Sequence, residues 1–171
     1  METPSQAIVR AERRSDYPAI RGVNEAAFGG TEEASLVESL REAGVVLLSL
    51  VAETGTRVVG HVLFSRMSID TPNGAVPAVA LAPVAVLPAY QRQGIGGRLI
   101  RDGLDALRGL GERIVIVVGH PAYYPRFGFS SGRASGLDSP FPADVFMALE
   151  LTANALREIH GTVRYPQAFG L

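Results

Sequence analysis

Residues 84–97 read V-A-V-L-P-A-Y-Q-R-Q-G-I-G-G. An apolar, β-patterned segment runs into a Pro turn and then a glycine-rich loop. Apolar residues then recur at Ile95, Leu99, Ile100, Leu104 and Leu107, which is helical spacing. A strand, a tight loop and a helix start in that order aim several backbone N–H groups at one spot, at the positive end of the helix dipole. Gly94 and Gly96 carry no Cβ, so the oxygens of an anion can come close to the backbone. The N–H groups of Gln93, Gly94, Ile95, Gly96 and Gly97 are the candidate donors, and Arg92 and Arg98 stand near enough to add charge. The expected occupant is a phosphate or pyrophosphate.

Two familiar phosphate loops do not fit. A P-loop requires G-x-x-x-x-G-K-[ST], and no lysine stands in or near this segment. A dinucleotide fingerprint requires three spaced glycines and an acidic residue after the following strand. Gln91 occupies the place of the first glycine, and Glu112 precedes a strand instead of following one.

Working outward, residues 78–87 are almost wholly apolar, as in a strand buried on both faces. Residues 113–118, R-I-V-I-V-V, read as another buried strand. Strand, helix, strand over residues 78–118 makes one parallel crossover. Upstream, residues 8–11 read as a short strand, and Ser15 or Asp16 caps a helix carrying Ile20, Val23 and Ala27. A second helix covers residues 31–43, opened by T-E-E. Residues 47–53 and 57–69 form a hairpin, and residues 70–77 an exposed loop. A late strand is expected at residues 145–151. Residues 152–171 show no clear pattern. The predicted fold class is α/β with a mixed sheet and helices on both faces, as one domain over residues 1–171.

Composition narrows the function classes. Hydrophobic residues make up 47% and charged residues 19%, as in ordinary folded domains. The net charge of −1 gives no support for a nucleic-acid surface. With no cysteine, disulfides, thiolate catalysis and Cys-based zinc sites are excluded. His61, His120 and His160 lack metal-ligand spacing, so no metal is expected. No apolar run reaches a membrane span, and the N-terminus lacks the regions of a signal peptide. The chain reads as cytoplasmic, with no membrane or nucleic-acid partner.

Gln91 to Gly96 also spell Q-x-x-G-x-G. Downstream, residues 119–129 read G-H-P-A-Y-Y-P-R-F-G-F, and residues 161–169 read G-T-V-R-Y-P-Q-A-F. In these motifs the chain resembles the GCN5-related N-acetyltransferases, and within them a bacterial YhbS-like subgroup. The family signature [RQ]-x-x-G-x-[GA] follows a fourth strand, and F-Y-x-[KR]-x-G-F follows the fifth. The resemblance spans residues 8–169.

The resemblance implies a fold whose fourth and fifth strands splay apart around acetyl-CoA, the acyl donor. Backbone groups of Val84, Ala85 and Val86 would pair with pantetheine, and Gln91, Arg92, Gln93, Gly94, Ile95, Gly96 and Gly97 would take the pyrophosphate, with Tyr123 also near the cofactor. Tyr124 falls where many members keep a tyrosine that protonates the leaving thiolate. The implied reaction is direct attack of a primary amine, on a small molecule or peptide, with a homodimer allowed. One departure stands out. Many members carry a Glu on the fourth strand as base, and residues 79–83, V-A-L-A-P, hold no carboxylate. His120, at the end of the fifth strand and able to titrate near neutral pH, is the first alternative. Without that carboxylate, a non-catalytic acetyl-CoA-binding regulatory module is the rival reading, and another acyl-CoA donor is a third.

Overall fold

The computed structural model of the chain describes residues 7–171. The reading of the N-terminus as free of a signal peptide falls on residues 1–6, outside the described residues. In chain order come β1 (Ile8–Ala11), α1 (Tyr17–Phe28), α2 (Glu32–Glu42), β2 (Val46–Thr54), β3 (Arg57–Thr71), β4 (Gly74–Val86), α3 (Ile95–Gly109), β5 (Ile114–Val118), β6 (Leu137–Asp138), β7 (Phe146–Glu150) and β8 (Gly161–Arg164). The strands follow the order β1-β2-β3-β4-β5-β7, with β8 on β3 and β6 on β8. The sheet is mixed: β4 and β5 are parallel, while β5 and β7 are antiparallel. The architecture is therefore α/β, and the crossover β4–α3–β5 stands where the apolar pattern put it. Contacts gather in two compact units, residues 7–64 with 82–103 and residues 65–81 with 104–171. The divisions fall inside β3, β4 and α3.

In the first unit, β1 pairs antiparallel with β2. Helices α1 and α2 bury Ile20 and Val23, and Ala34, Val37 and Leu40, at three-residue intervals along one face. Gly29, at φ +75°, ends α1 in the left-handed conformation that glycine adopts without Cβ strain. Asp16 is the residue before α1, but its side chain does not cap the helix. Its carboxylate accepts from Arg10 Nη1 (2.8 Å) and Nη2 (3.0 Å) and from the Arg13 N–H (2.6 Å). A forked, charge-assisted bond outcompetes a neutral cap. Thr31, before α2, makes no side-chain cap bond either.

Helix α3 approaches β3 through two glycines. A Cβ on Gly60 would lie 3.0 Å from Leu99 Cδ1. A Cβ on Gly103 would lie 2.5 Å from Cζ of Phe64, itself fully buried. Glycine inside a helix costs about 1 kcal/mol relative to alanine. Here it lets the Phe64 ring lie against the helix backbone.

In the second unit, the β4–β5 ladder is confined to Val79↔Val115 and Ala80↔Ile116, whereas β5 pairs with β7 from Ile114 through Val118. Ile114, Ile116, Phe146 and Ala148 share a core with Met67, Ile69, Leu137 and Val163. Two expectations change here. Residues 70–77 are not an open loop: β3 continues to Thr71 and β4 begins at Gly74. Thr71 Oγ1 closes the turn, donating to Gly74 O (2.7 Å) and accepting from the Asn73 N–H (3.2 Å). The tail is also ordered. Strand β8 pairs with β3 at Ser68↔Arg164, Ile69↔Val163 and Asp70↔Thr162, and with β6.

Candidate functional site

The first unit carries the glycine loop. Residues 91–94 are exposed and Ile95 is buried, so the helix start is anchored while the loop faces solvent. Gly94 sits at φ +82°, and a Cβ there would meet nothing within 4 Å. Space therefore lies open in front of the loop backbone. The Arg98 N–H donates to Gly94 O (3.0 Å). The earlier N–H groups of the first turn have no place in the helical ladder, which leaves them to an anion. Gln91 turns inward, its Nε2 donating to Val86 O (2.9 Å) and tying the loop to the end of β4. Arg92 is exposed at φ +64°. The Arg98 guanidinium donates to Ala7 O, so part of its hydrogen-bonding capacity is spent on β1's entry. These features fit a pyrophosphate: exposed backbone donors, a glycine-lined approach and an exposed arginine. Of the pantetheine candidates, Ala85 is buried and Val84 and Val86 are half-buried.

The same unit contains a buried polar chain. Asn24 Nδ2 donates to Ile20 O (3.0 Å) and faces His61 Nδ1 (3.2 Å). An amide N–H can only donate, so Nδ1 accepts and Nε2 carries the proton. His61 Nε2 then donates to Ser49 Oγ (2.9 Å), and the Ser49 hydroxyl donates to Glu12 Oε1. Glu12 is paired with Arg41 at 2.8 Å, and the Arg41 guanidinium stacks 3.8 Å over the Tyr17 ring. Burial, then the charge of Arg41, pushes the His61 imidazole down to about 3, so it stays neutral. His61 is thus a packed core residue with a fixed tautomer. The sequence reading missed Glu12, Asn24, Ser49 and Arg41 as one network. They lie 12 to 37 positions from their partners, and no local pattern joins them.

The second unit carries the aromatic motif. The Gly119 N–H donates to Val145 O (3.0 Å), which continues the β5–β7 pairing beyond Val118. The His120 carbonyl then accepts from the N–H groups of Tyr123 (3.0 Å) and Tyr124 (3.3 Å) and starts a 3-10 turn at Tyr124–Phe127. The His120 side chain is exposed. Tyr124 is buried, edge-on to Tyr123 at 5.1 Å and to Phe129 at 5.9 Å. Burial, then Tyr123, pushes its phenol up to about 12, so it remains protonated. Tyr123 is half-buried beneath the Arg126 guanidinium at 4.7 Å. Among the described residues no cluster of His, Cys, Asp and Glu could hold a metal ion. No described helix is long and apolar enough to cross a membrane.

Comparison with known proteins follows the same lines. Residues 9–132 match the acetyltransferase (GNAT) domain family. The uncharacterized N-acetyltransferase YjhQ of Escherichia coli K12 is 43% identical over 132 residues, 75% of this chain and 73% of that protein. The uncharacterized N-acetyltransferase YhbS of the same strain is 34% identical over 165 residues, covering 95% and 98%. The crystal structure of E. coli YhbS in complex with CoA superposes with a TM-score of 0.90 at 33% identity, covering 100% of this chain and 96% of that one. A GNAT acetyltransferase from Brucella melitensis in complex with acetyl-CoA gives a TM-score of 0.81 at 38% identity, covering 96% and 99%.

Proposed function

Because the chain belongs to the GNAT acetyltransferase family, we propose that it transfers an acetyl group from acetyl-CoA to a primary amine by direct attack. The observation that carries this reading is the exposed glycine loop at the start of α3, with open space before Gly94. The complexes of YhbS with CoA and of the Brucella protein with acetyl-CoA support it.

Acetyl-CoA supplies the activated thioester. The N–H groups of residues 93–97 hold the pyrophosphate, with Arg92 adding charge. Backbone groups of Val84, Ala85 and Val86 align the pantetheine arm, and a backbone N–H near Val84 steadies the charge that develops on the carbonyl oxygen. The amine nitrogen forms its bond to the carbonyl carbon as the carbon–sulfur bond breaks. Tyr124 donates a hydrogen bond to the departing thiolate. Its phenol, held near 12, is a far weaker acid than a thiol of about 8.5. The role of Tyr124 is therefore to stabilise the thiolate, and solvent supplies the proton that ends on sulfur. The proton lost from nitrogen goes to solvent, directly or through the exposed His120. Strand β4 keeps no carboxylate over residues 79–83, which makes a neutral amine the competent acceptor.

Thermal unfolding with ligand tests the reading. A ligand at 100 times its dissociation constant stabilises the fold by about 2.7 kcal/mol. CoA and acetyl-CoA should raise the melting temperature, and NADH and ATP should do much less. A shift with NADH and none with CoA overturns the assignment. Binding of acetyl-CoA without thiol release across a panel of amines points instead to a regulatory module.

A further inference from the structure

The glycine loop is closed at its base by a side chain. The backbone leaves β4 in bonded steps. The Leu87 N–H donates to Val59 O (2.8 Å), which fixes the end of β4 on β3. The Tyr90 N–H then donates to Leu87 O (2.8 Å) and the Gln91 N–H to Pro88 O (3.4 Å), closing the 3-10 turn at Pro88–Tyr90. From there the Gln91 side chain reaches back, and its Nε2 donates to Val86 O (2.9 Å). Val86 and Gln91 are thereby clipped together on either side of the turn.

Beyond the clip the backbone needs holding. Arg92 sits at φ +64°, a left-handed conformation that a residue with a Cβ resists, and Gly94 follows at φ +82°. Such a backbone persists only where its surroundings fix it. Arg92 does not fix itself: its side chain is exposed and makes no hydrogen bond or ion pair among the described residues. Gln93 reaches Ala89 O only at 3.5 Å, the limit of a hydrogen bond. Arg98, already inside α3, is turned onto Ala7 O. Gln91 is the side chain of this loop that makes a bond of ordinary length across it. Its two nitrogens both face carbonyls of the turn, the backbone N–H at Pro88 O and the amide at Val86 O.

Resting on the acetyl-CoA reading, we propose that Gln91 is a positioning residue: by bonding to Val86 O it holds the loop in the shape that aims the N–H groups of residues 93–97 at the pyrophosphate, without touching the phosphates itself. A loop held in its binding shape is competent for a larger fraction of the time, and apparent affinity scales with that fraction.

Two measurements test this. Gln91→Met keeps the length of the side chain and has no N–H, while Gln91→Arg carries N–H donors at similar reach. Gln91 is exposed, so melting temperatures without ligand should change little. Trypsin cuts after arginine, and cleavage after Arg92 in the native chain follows how often the loop opens. In the ligand-free protein that nicking, read by mass spectrometry, should speed up about 3- to 10-fold in Gln91→Met, the worth of one net hydrogen bond. The calorimetric Kd for CoA should rise by the same factor. Gln91→Arg should match the wild-type Kd, also in about 0.5 M NaCl, where its added charge is screened. Unchanged nicking in Gln91→Met, or faster nicking with an unchanged Kd, overturns the positioning role and leaves CoA binding standing. A Kd that rises in Gln91→Met and stays high in Gln91→Arg also overturns it, because the N–H is then not what matters. A wild type that fails to bind CoA overturns the acetyl-CoA reading and the proposal with it, whatever the nicking shows.

Discussion

The ring of Tyr124 packs directly against Gly119. A Cβ on Gly119 would stand 2.9 Å from Tyr124 Cδ2 and closer still to Cε2. The glycine that ends β5 is thus the seat of the phenol proposed to stabilise the thiolate. Tyr124→Phe removes the hydroxyl and keeps the ring, so kcat should fall about 10²–10³-fold, as for losing one hydrogen-bond donor to a developing anion, with CoA affinity little changed. Gly119→Ala should displace the ring and reproduce part of that loss. Tyr123→Phe is the control and should be mild. Equal, small effects at Tyr123 and Tyr124 in steady-state assays would reduce the pair to packing.

The glycine loop makes a second prediction. Gly96→Val places a branched side chain in the proposed pyrophosphate approach, and Gly94→Ala forces a Cβ onto a backbone at φ +82°. Both should weaken CoA binding, measured by calorimetry, while far-UV circular dichroism stays native. Normal CoA affinity in a folded Gly96→Val protein would place the phosphates elsewhere.

His61 sets an acid limit on stability. Its folded value, about 3, lies below the ordinary imidazole value of about 6.5. Between them the unfolded chain takes up a proton that the folded chain rejects. Stability is therefore complete above about pH 6.5 and declines as pH falls toward 3. At about 1.4 kcal/mol per pH unit, some ~2 kcal/mol is lost by pH 5. His61→Gln keeps polar atoms toward Asn24 and Ser49 but does not titrate. Its urea-unfolding free energy should be nearly flat from pH 7 to 5, while that of the wild type slopes. Parallel slopes would refute the assignment.

Asp16 acts in a lower window. The Arg10 hydrogen bonds come first among the causes that hold its carboxyl at about 2, below the ordinary 3.8. Its contribution is present above about pH 3.8 and is lost as pH falls toward 2. Asp16→Asn should therefore lower stability at neutral pH and remove part of the wild-type decline below pH 4, read from acid-unfolding curves.

Gly161 allows β8 to join the second unit. A Cβ there would overlap Asp70 O and stand 2.9 Å from Asp70 C. Backbone cannot step aside as a flexible side chain can. Gly161→Ala should cost about 1–3 kcal/mol, the usual range for overpacking, and lower the melting temperature.

The β4–α3–β5 crossover was legible because each element is patterned over its own length. The apolar run of β4, the glycines at 94, 96 and 97 and the helical spacing of α3 need no distant partner to be read. The aromatic motif was legible in the same local way, as was the lack of a carboxylate over residues 79–83.

Other features depended on residues far apart in the chain. β6 has two residues and β8 four, too short for any period to show, and their pairing partners make them strands. Asp16 is a helix cap by sequence rule, but Arg10 claims its carboxylate in three dimensions. The path from Asn24 through His61 and Ser49 to Glu12 exists only because α1, β3, β2 and the end of β1 meet, and burial there sets the charge state of the imidazole. Local pattern determined where the backbone presents the exposed glycine loop at the start of α3. Tertiary packing alone decided which polar side chains were spent on one another.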